Sequence, residues 1–159
     1  MTAASTRPDS AKFWTAYLDY DGHTTAAVWE TIGGNIGKAY GPSSNSCAAR
    51  VSYGLNYSGA ELEVFVAASV NFKDQEYNGK KGDGKRYIVS AEQMGNYLTL
   101  KWGAADHEVK TKEELKKFVD GLGAKCAIFA TTGHTGVLKK GYDDPVVEGF
   151  LPVKVWILK

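Results

Sequence analysis

The spacing of apolar residues predicts short helices in the first part of the chain. After a loose start over residues 1–9, Ser10 is positioned to cap a helix whose apolar residues recur at intervals of three and four, at Phe13, Trp14, Tyr17 and Leu18. A second short helix is predicted over residues 25–31. A third is predicted from residue 47 to about residue 57, because its apolar residues recur every four positions.

Two later helices begin with capping-box signatures, in which Ser or Thr is followed three residues later by Gln or Glu. Ser90 and Gln93 predict a helix that extends to about residue 100. Thr111 and Glu114 predict another that extends to about residue 120.

The segments between these helices lack a helical pattern. Residues 32–37 and 41–46 are rich in Gly, Pro, Ser and Asn, so they predict a helix break and a turn. Residues 62–70 fit a strand or a helix, and periodicity does not decide between them. Residues 71–85 are polar and Gly-rich, which predicts an exposed loop.

The C-terminal third has the pattern of strands separated by Gly and Pro. Strands are predicted over residues 126–130, 135–139 and 153–158, and one more over residues 86–89. Helices first and strands last indicate an α+β fold with an antiparallel sheet. No repeat or linker divides the chain, so a single domain over residues 1–159 is expected.

Charge and composition narrow the function. The 159 residues carry 19 Lys and Arg against 18 Asp and Glu, a balance that argues against a nucleic-acid partner. No apolar run is long enough to span a membrane, and the N-terminus has no signal-peptide pattern, so we expect synthesis in the cytoplasm. No cofactor or metal motif is predicted.

A Gly-rich segment over residues 79–86 resembles a phosphate-binding P-loop but lacks its essential parts. Arg86 stands where the motif needs Ser or Thr, and a strand pattern follows where the motif needs a helix. We therefore predict a solvated loop without nucleotide.

Cys47 is the candidate nucleophile. It is placed at the start of a predicted helix, where free N–H groups and the helix dipole favour a thiolate and can hold an oxyanion. The alternative is that Cys47 only packs in the core, as free cysteines commonly do. Cys126 lies within an apolar strand pattern and is predicted to pack in the core, and a Cys47–Cys126 disulfide is left open.

A cysteine nucleophile needs a base, and three histidines compete for that role. His23 and His107 lie in polar turns, whereas His134 lies between two predicted strands and is the best candidate. A third group must orient the base. Asp144 is favoured for this role, with Asp143 as the alternative.

Residues 45–56, Asn-Ser-Cys-Ala-Ala-Arg-Val-Ser-Tyr-Gly-Leu-Asn, resemble the nucleophile motif of type VI secretion amidase effector family 4. Gly54 stands where this family usually has Ala, at a cost of about 0.5–1 kcal/mol in helix propensity. The resemblance extends over most of the chain, through Phe13 and Tyr17, residues 32–34, 86–88, 94–98 and 126–129, and Gly133-His134.

The resemblance implies a papain-like, NlpC/P60-type peptidoglycan amidase that cleaves the γ-D-glutamyl–meso-diaminopimelate bond of the stem peptide. It implies Cys47 as nucleophile, His134 as base and Asp144 as the group that orients it. It further implies delivery by the type VI secretion apparatus into the periplasm of a recipient cell, and a cognate immunity protein that blocks the cleft. Two alternatives remain: a non-catalytic wall- or immunity-binding module on the same fold, and a thiol-dependent transferase.

Overall fold

The computed structural model describes residues 7–34, 36, 45–63, 76–77 and 80–159. Its helices and strands follow one another along the chain in this order: α1 (Ser10–Ala16), α2 (Thr25–Ile32), α3 (Cys47–Asn56), β1 (Glu76–Tyr77), β2 (Lys80–Lys81), α4 (Ala91–Trp102), β3 (His107–Val109), α5 (Lys112–Asp120), β4 (Cys126–Ala130), β5 (Thr135–Lys139), a 3-10 helix (Val147–Phe150) and β6 (Val153–Ile157). Among the helices of these residues, none has the length and apolar character needed to cross a bilayer.

The central sheet has four antiparallel strands in the order β3-β6-β4-β5. A tight hairpin joins β4 to β5 and sets Ala130 opposite Thr135, and β6 pairs with the other side of β4. The prediction of an α+β fold with N-terminal helices and a C-terminal antiparallel sheet is confirmed.

Helices cover both faces of the sheet. Successive side chains of a strand point to opposite faces, so neighbouring residues of β4 pack against different helices. In β4, Ile128 packs with α1, α3 and α4, whereas Phe129 packs on the other face with α5. All five β4 residues are therefore buried, which explains their continuous apolar run.

Helix α3 is buried on nearly all sides, and this packing holds the position of its first residue, Cys47. It packs against α1 and β5, and its Ala49 joins a third apolar cluster with Val28, Trp29 and Ile32 of α2. Nine of its ten residues are buried. The N-terminus of α3 thus lies beside the start of β5, where a helix and a strand can each contribute a side chain to one site.

The start of α1 differs from the prediction. Asp9, and not Ser10, caps the helix, because its side chain accepts a hydrogen bond from the Lys12 N–H. Ser10 is the first helical residue, and its hydroxyl accepts from the Cys126 N–H at 3.1 Å. Tyr17 lies just beyond the helix as its C-cap.

The N-terminal residues 1–9 were expected to be loose, and residues 1–6 lie outside the described part. Residues 7–9 are held: the Arg7 guanidinium donates to the Ile157 carbonyl at 2.8 Å and pairs with Asp106. The Lys159 N–H donates to the Pro8 carbonyl at 3.2 Å.

The strand predicted over residues 86–89 is wrong. Arg86 forms a single β-bridge and residues 87–89 lie in no strand, and side chains of α3 bind the backbone of the segment. Ser52 Oγ accepts from the Ile88 N–H and donates to the Ile88 carbonyl, both at 3.0 Å. Asn56 Nδ2 donates to the Arg86 carbonyl at 2.8 Å. The apolar pattern reflects burial against a helix, since Tyr87 and Ile88 are both buried.

Two other segments contain strands that the sequence did not predict. His107 was placed in a polar turn, yet it begins the edge strand β3 and pairs with Val155 of β6. Within the predicted loop 71–85, residues 76–77 and 80–81 form a two-residue antiparallel ladder. The predictions for residues 35, 37–44, 64–75 and 78–79 lie outside the described residues.

Gly54 is required by the packing of α3 on α1, although glycine is a poor helix residue. A Cβ at this position would lie 2.7 Å from Cε1 of the buried Phe13 ring. We predict that Gly54→Ala lowers the free energy of unfolding by ~1–3 kcal/mol despite its gain in helix propensity. Gly149→Ala is the control, because a Cβ there meets no atom within 4 Å. Urea unfolding of both variants tests this, and an unchanged or raised stability of Gly54→Ala would contradict it.

Candidate active site

Cys47 is the first residue of α3 and is held there by the two residues before it. Its N–H donates to Asn45 Oδ1 at 3.0 Å, so the Asn45 side chain caps this end of the helix. The Ser46 hydroxyl makes no cap; it accepts from Arg50 Nε at 2.9 Å. The positive end of the helix dipole therefore points toward the Cys47 side chain.

His134 lies immediately before β5, at the end of the turn from β4. The turn is closed by the Thr131 N–H, which donates to the His134 carbonyl at 2.9 Å. The imidazole packs between two aromatic rings, with ring centroids 5.3 Å from Phe129 and 5.4 Å from Phe150. Gly133 admits the Phe150 ring, because a Cβ at Gly133 would lie 2.5 Å from Phe150 Cε1.

Asp144 follows β5 after a turn and is directed back toward His134. The carboxylate accepts from His134 Nε2 at 2.8 Å and from the Val146 N–H at 3.0 Å, both through Oδ1. The absence of a side chain at Gly136 makes this approach possible, since a Cβ there would lie 2.6 Å from Asp144 Oδ2. The neighbouring Asp143 is exposed. The structure thus brings Asp144, and not Asp143, to the histidine.

The three predicted site residues lie together and are nearly closed off from solvent. Their exposed fractions are 2% for Cys47, 3% for His134 and 8% for Asp144. Burial lowers the pKa of His134, but hydrogen bonding to Asp144 and the interaction with the Cys47 side chain outweigh it and raise this pKa to about 9. Because Nε2 is bound to Asp144, Nδ1 is the nitrogen left to face the thiol. The arrangement therefore favours the protonated form of the His134 imidazole.

The other candidate residues serve different roles. His23 pairs with Asp19 at 3.4 Å, and His107 packs against Phe118. Cys126 is unpaired and buried, as is Cys47, and burial raises the pKa of the Cys126 thiol to about 11. No disulfide joins the two, and Cys126 packs in the core as predicted.

The Gly-rich segment has no phosphate-binding arrangement in its described part, residues 80–86. Lys85 Nζ pairs with Glu61 at 2.5 Å, and the Lys85 N–H donates to Asp83 Oδ1. An acidic side chain therefore occupies the loop where a phosphate would need free donors. Within residues 7–34, 36, 45–63, 76–77 and 80–159, no three His, Cys, Asp or Glu residues converge to hold a metal ion.

Sequence reasoning missed the residues that support the site. Tyr20 lies beside His134 with ring centroids 6.4 Å apart, and Arg50 packs on the face of Tyr20. For Arg50 the sequence did contain a signal, because a charged residue there interrupts the apolar stretch that follows Cys47. Gly136 and Phe150 carry no signal in the sequence, because their roles depend on contacts between distant parts of the chain.

The raised pKa of His134 predicts a pH-dependent stability. The protonated imidazole is favoured in the folded chain, so its contribution is complete below the ordinary pKa of 6.5 and is lost as the pH rises through about 9. We expect the free energy of unfolding of the wild type, relative to His134→Gln, to fall by ~2–3 kcal/mol over this range. Urea unfolding at several pH values measures it, and the comparison cancels the titration of Cys126 and the tyrosines. A difference that stays constant or grows with pH would contradict the prediction.

The site thus combines a cysteine at a helix N-terminus, a histidine at the start of a strand and a carboxylate behind the histidine, which is the set of groups that nucleophilic catalysis by a thiol requires. The sequence profile of the Tae4 family, described as type VI secretion system (T6SS) amidase effector protein 4, matches residues 43–139 of the chain. This match spans more than half of the sequence and includes Cys47 and His134. The protein belongs to this family of amidase effectors.

Solved structures of Tae4 effectors share the fold. The Tae4 effector from Salmonella typhimurium, in complex with the immunity protein Tai4 from Enterobacter cloacae, is 26% identical with a TM-score of 0.70, over 96% of this chain and 100% of that chain. A selenomethionine structure of the Salmonella typhimurium Tae4/Tai4 system is 27% identical with a TM-score of 0.68, over 96% and 99%. Tae4 from Enterobacter cloacae, at 24% identity and a TM-score of 0.69 over 96% and 98%, shows the fold alone. No curated protein sequence matches the chain.

Proposed function

We propose that this protein is a papain-like, NlpC/P60-type cysteine amidase that hydrolyses the γ-D-glutamyl–meso-diaminopimelate bond of peptidoglycan stem peptides. Cys47 is the nucleophile, His134 the general base and acid, and Asp144 the group that orients His134. The observation that carries the proposal is the 2.8 Å hydrogen bond from His134 Nε2 to the buried Asp144, on an imidazole that also interacts with Cys47. Membership of an amidase effector family supports the reaction class.

The first half-reaction forms a covalent acyl-enzyme. His134 Nδ1 takes the proton of the Cys47 thiol, and the sulfur attacks the carbonyl carbon of the scissile amide. The carbon–nitrogen bond breaks, and the imidazolium returns the proton to the leaving amine. The acyl group remains on Cys47 as a thioester.

The second half-reaction restores the enzyme with water as the co-substrate. His134 accepts a proton from water, whose oxygen attacks the thioester carbonyl, and the carbon–sulfur bond breaks. The Cys47 sulfur regains a proton, and the acyl product leaves as a carboxylic acid. Asp144 keeps Nε2 protonated throughout, so the imidazole always presents Nδ1 to the reacting atoms.

The backbone N–H at the start of α3 is already hydrogen-bonded in the resting structure. The Cys47 N–H is the natural donor for a developing oxyanion, but it is bound to Asn45 Oδ1 at 3.0 Å. The Asn45 side chain must therefore rotate away when substrate binds, or the donor must come from elsewhere. In the resting structure the carboxamide oxygen of Asn45 is the hydrogen-bond acceptor at this helix end, and a developing oxyanion would have to take its place.

The biological setting follows from the same proposal. The chain acts as an antibacterial toxin that the type VI secretion apparatus delivers to the periplasm of a recipient cell. A cognate immunity protein binds it, since Tae4 relatives of the same fold have been solved with the immunity protein Tai4. The near-neutral charge of this chain suits an uncharged amide target reached through shape and hydrogen bonds.

Product analysis of purified muropeptides tests the reaction directly. Disaccharide tetrapeptide incubated with the protein should yield one fragment ending in D-glutamate and one beginning with the free amine of diaminopimelate, as identified by mass spectrometry. A muropeptide whose D-glutamate is bonded through its α-carboxyl is the matched control substrate and should remain intact. Binding of the fragment without turnover would support a wall-binding module instead, and transfer of the acyl group to an added amine without hydrolysis would support a transferase.

A further inference from the structure

Arg50 is a fully buried cation one helical turn after Cys47. Its exposed fraction is 1%, and all of its described partners are neutral. Nε donates to Ser46 Oγ at 2.9 Å, Nη1 donates to the Leu18 carbonyl at 3.0 Å, and Cζ lies 3.7 Å from the centroid of the Tyr20 ring. Among the described residues, no carboxylate forms an ion pair with it.

A buried cation without a carboxylate is unfavourable for folding. Neutral hydrogen bonds and an aromatic face recover only part of the lost hydration, and an apolar side chain of similar volume usually packs with less cost. The contacts made by Arg50 use the particular properties of a guanidinium, whose planar fork donates in two directions while its face stacks on a ring. A lysine or a methionine cannot make the same set of contacts.

The three contacts of Arg50 converge on the segments that surround the proposed nucleophile. Ser46 directly precedes Cys47, and Tyr20 lies beside His134 with ring centroids 6.4 Å apart. The Tyr20 N–H donates to the Tyr142 hydroxyl at 3.2 Å, two residues before Asp144. One buried side chain is thus connected to the segments that carry the nucleophile, the base and the orienting carboxylate.

The pKa of the Tyr20 phenol depends on its burial and on the charges of Cys47 and Arg50. Burial raises the pKa of Tyr20, and the negative charge that Cys47 carries as a thiolate raises it further, whereas Arg50 opposes both effects. The phenol therefore stays neutral, and the Tyr20 ring is an uncharged wall beside His134.

We propose that Arg50 is a positioning residue for the Cys47–His134 pair, which it aligns by fixing Ser46 from behind and by holding the Tyr20 ring as one wall of the site. This inference rests on the proposed function, because alignment matters only if Cys47 attacks. It assigns to Arg50 a role in the rate of the chemical step and none in contacting the substrate.

The test combines two substitutions at the ends of the stacked contact. With substrate at saturation, Arg50→Lys and Tyr20→Leu are each expected to lower kcat by ~10–100-fold, because misplacement of reacting groups by about 1 Å has effects of this order. KM should change by less than about threefold, since neither side chain is assigned to bind substrate. Arg50→Lys keeps the charge and loses the planar fork, so an unchanged kcat in this variant would overturn the proposal.

A double-mutant cycle distinguishes positioning from general destabilisation. Because Arg50 acts through Tyr20 as well as through Ser46, the loss of kcat in Arg50→Lys combined with Tyr20→Leu should be clearly smaller than the product of the two single losses. Losses that multiply would overturn the proposal, because they would mean independent effects. Thermal unfolding of each variant defines a temperature at which all are folded, and kcat is compared there. If Arg50→Lys does not fold, Tyr20→Leu carries the test alone, and a wild-type kcat in it would overturn the proposal.

Arg7→Lys is the matched control. Arg7 also forms forked hydrogen bonds and lies over an aromatic ring, that of Trp102 at 5.4 Å, but its partners are Asp106 and the Ile157 carbonyl. Its kcat should equal that of the wild type. The experiments distinguish a failure of the proposed function from a failure of the role of Arg50. Turnover by Cys47→Ala would refute the proposed function. An inactive Cys47→Ala together with wild-type kcat in Arg50→Lys would refute only the role of Arg50.

Discussion

Replacement of Cys47 with alanine is expected to lower the rate of muropeptide hydrolysis by about four orders of magnitude or more, because it removes the sulfur that we propose forms the acyl-enzyme. The loss should appear in kcat, with substrate binding retained, since the side chain removed is small and nearly closed off from solvent. Release of the diaminopimelate amine, followed by mass spectrometry, is the appropriate measurement.

Cys126→Ala is the matched control for this experiment, because it makes the same chemical change at the other cysteine. Cys126 is buried in β4, and its sulfur lies 3.7 Å from the Ser10 carbonyl oxygen. We expect a loss of about 1 kcal/mol in stability from the small cavity and a wild-type rate of hydrolysis. Equal activity of Cys47→Ala and Cys126→Ala would refute a cysteine mechanism at this site.

The second large effect is expected at Asp144. Asp144→Ala removes the acceptor of His134 Nε2–H and lets the imidazole rotate or change tautomer, so kcat should fall by roughly 10²–10⁴-fold. The loss of the carboxylate should also lower the pKa of His134, because hydrogen bonding to Asp144 is the largest influence that raises it. The alkaline limit of the pH–rate profile should therefore move to lower pH.

Asp143→Ala provides the comparison, because the two carboxylates are adjacent in sequence and differ in direction. Asp143 is exposed, and its removal should leave kcat and the pH profile unchanged. A larger loss in Asp143→Ala than in Asp144→Ala would mean that the catalytic conformation differs from this structure and would assign the orienting role to Asp143.

Local signals were sufficient where the structure depends on neighbours in sequence. Ser90 caps α4 and Thr111 caps α5 as their capping-box signatures predicted, with bonds to the N–H groups of Gln93 and Glu114. The hairpin strands over residues 126–130 and 135–139 have the predicted bounds. In each case the residues that determine the element lie within or next to it, so periodicity and caps contain the necessary information.

Local signals failed where distant groups decide the outcome. The segment 86–89 has the composition of a strand, but Ser52 and Asn56 on α3 bind its backbone, and no local pattern reveals these contacts. The choice between Asp143 and Asp144 depended on the missing side chain of Gly136, seven residues or more away. The role of Gly54 likewise depends on Phe13, so helix propensity alone gave the wrong expectation for this position.

The candidate site shows the same difference between features that are encoded locally and features that depend on distant contacts. A cysteine at a helix start and a histidine between strands can be recognised in sequence, because helix ends and strand ends are locally encoded. Their supporting residues cannot, since Tyr20 and Arg50 meet only after α3 has packed beside the segment that follows α1. Arg50 was visible as a charge among apolar residues, but its stacking on Tyr20 required the fold.

The central claim is that Cys47 forms a covalent acyl-enzyme with the D-glutamyl side of the scissile bond. The most direct measurement is the mass of the protein after rapid acid quench during turnover of a disaccharide tetrapeptide. The account predicts an adduct equal to the acyl product less one water, which peptide mapping assigns to the peptide that contains Cys47 and which is missing in Cys47→Ala. Release of the amine in a first, stoichiometric turnover without any adduct on Cys47 would contradict it.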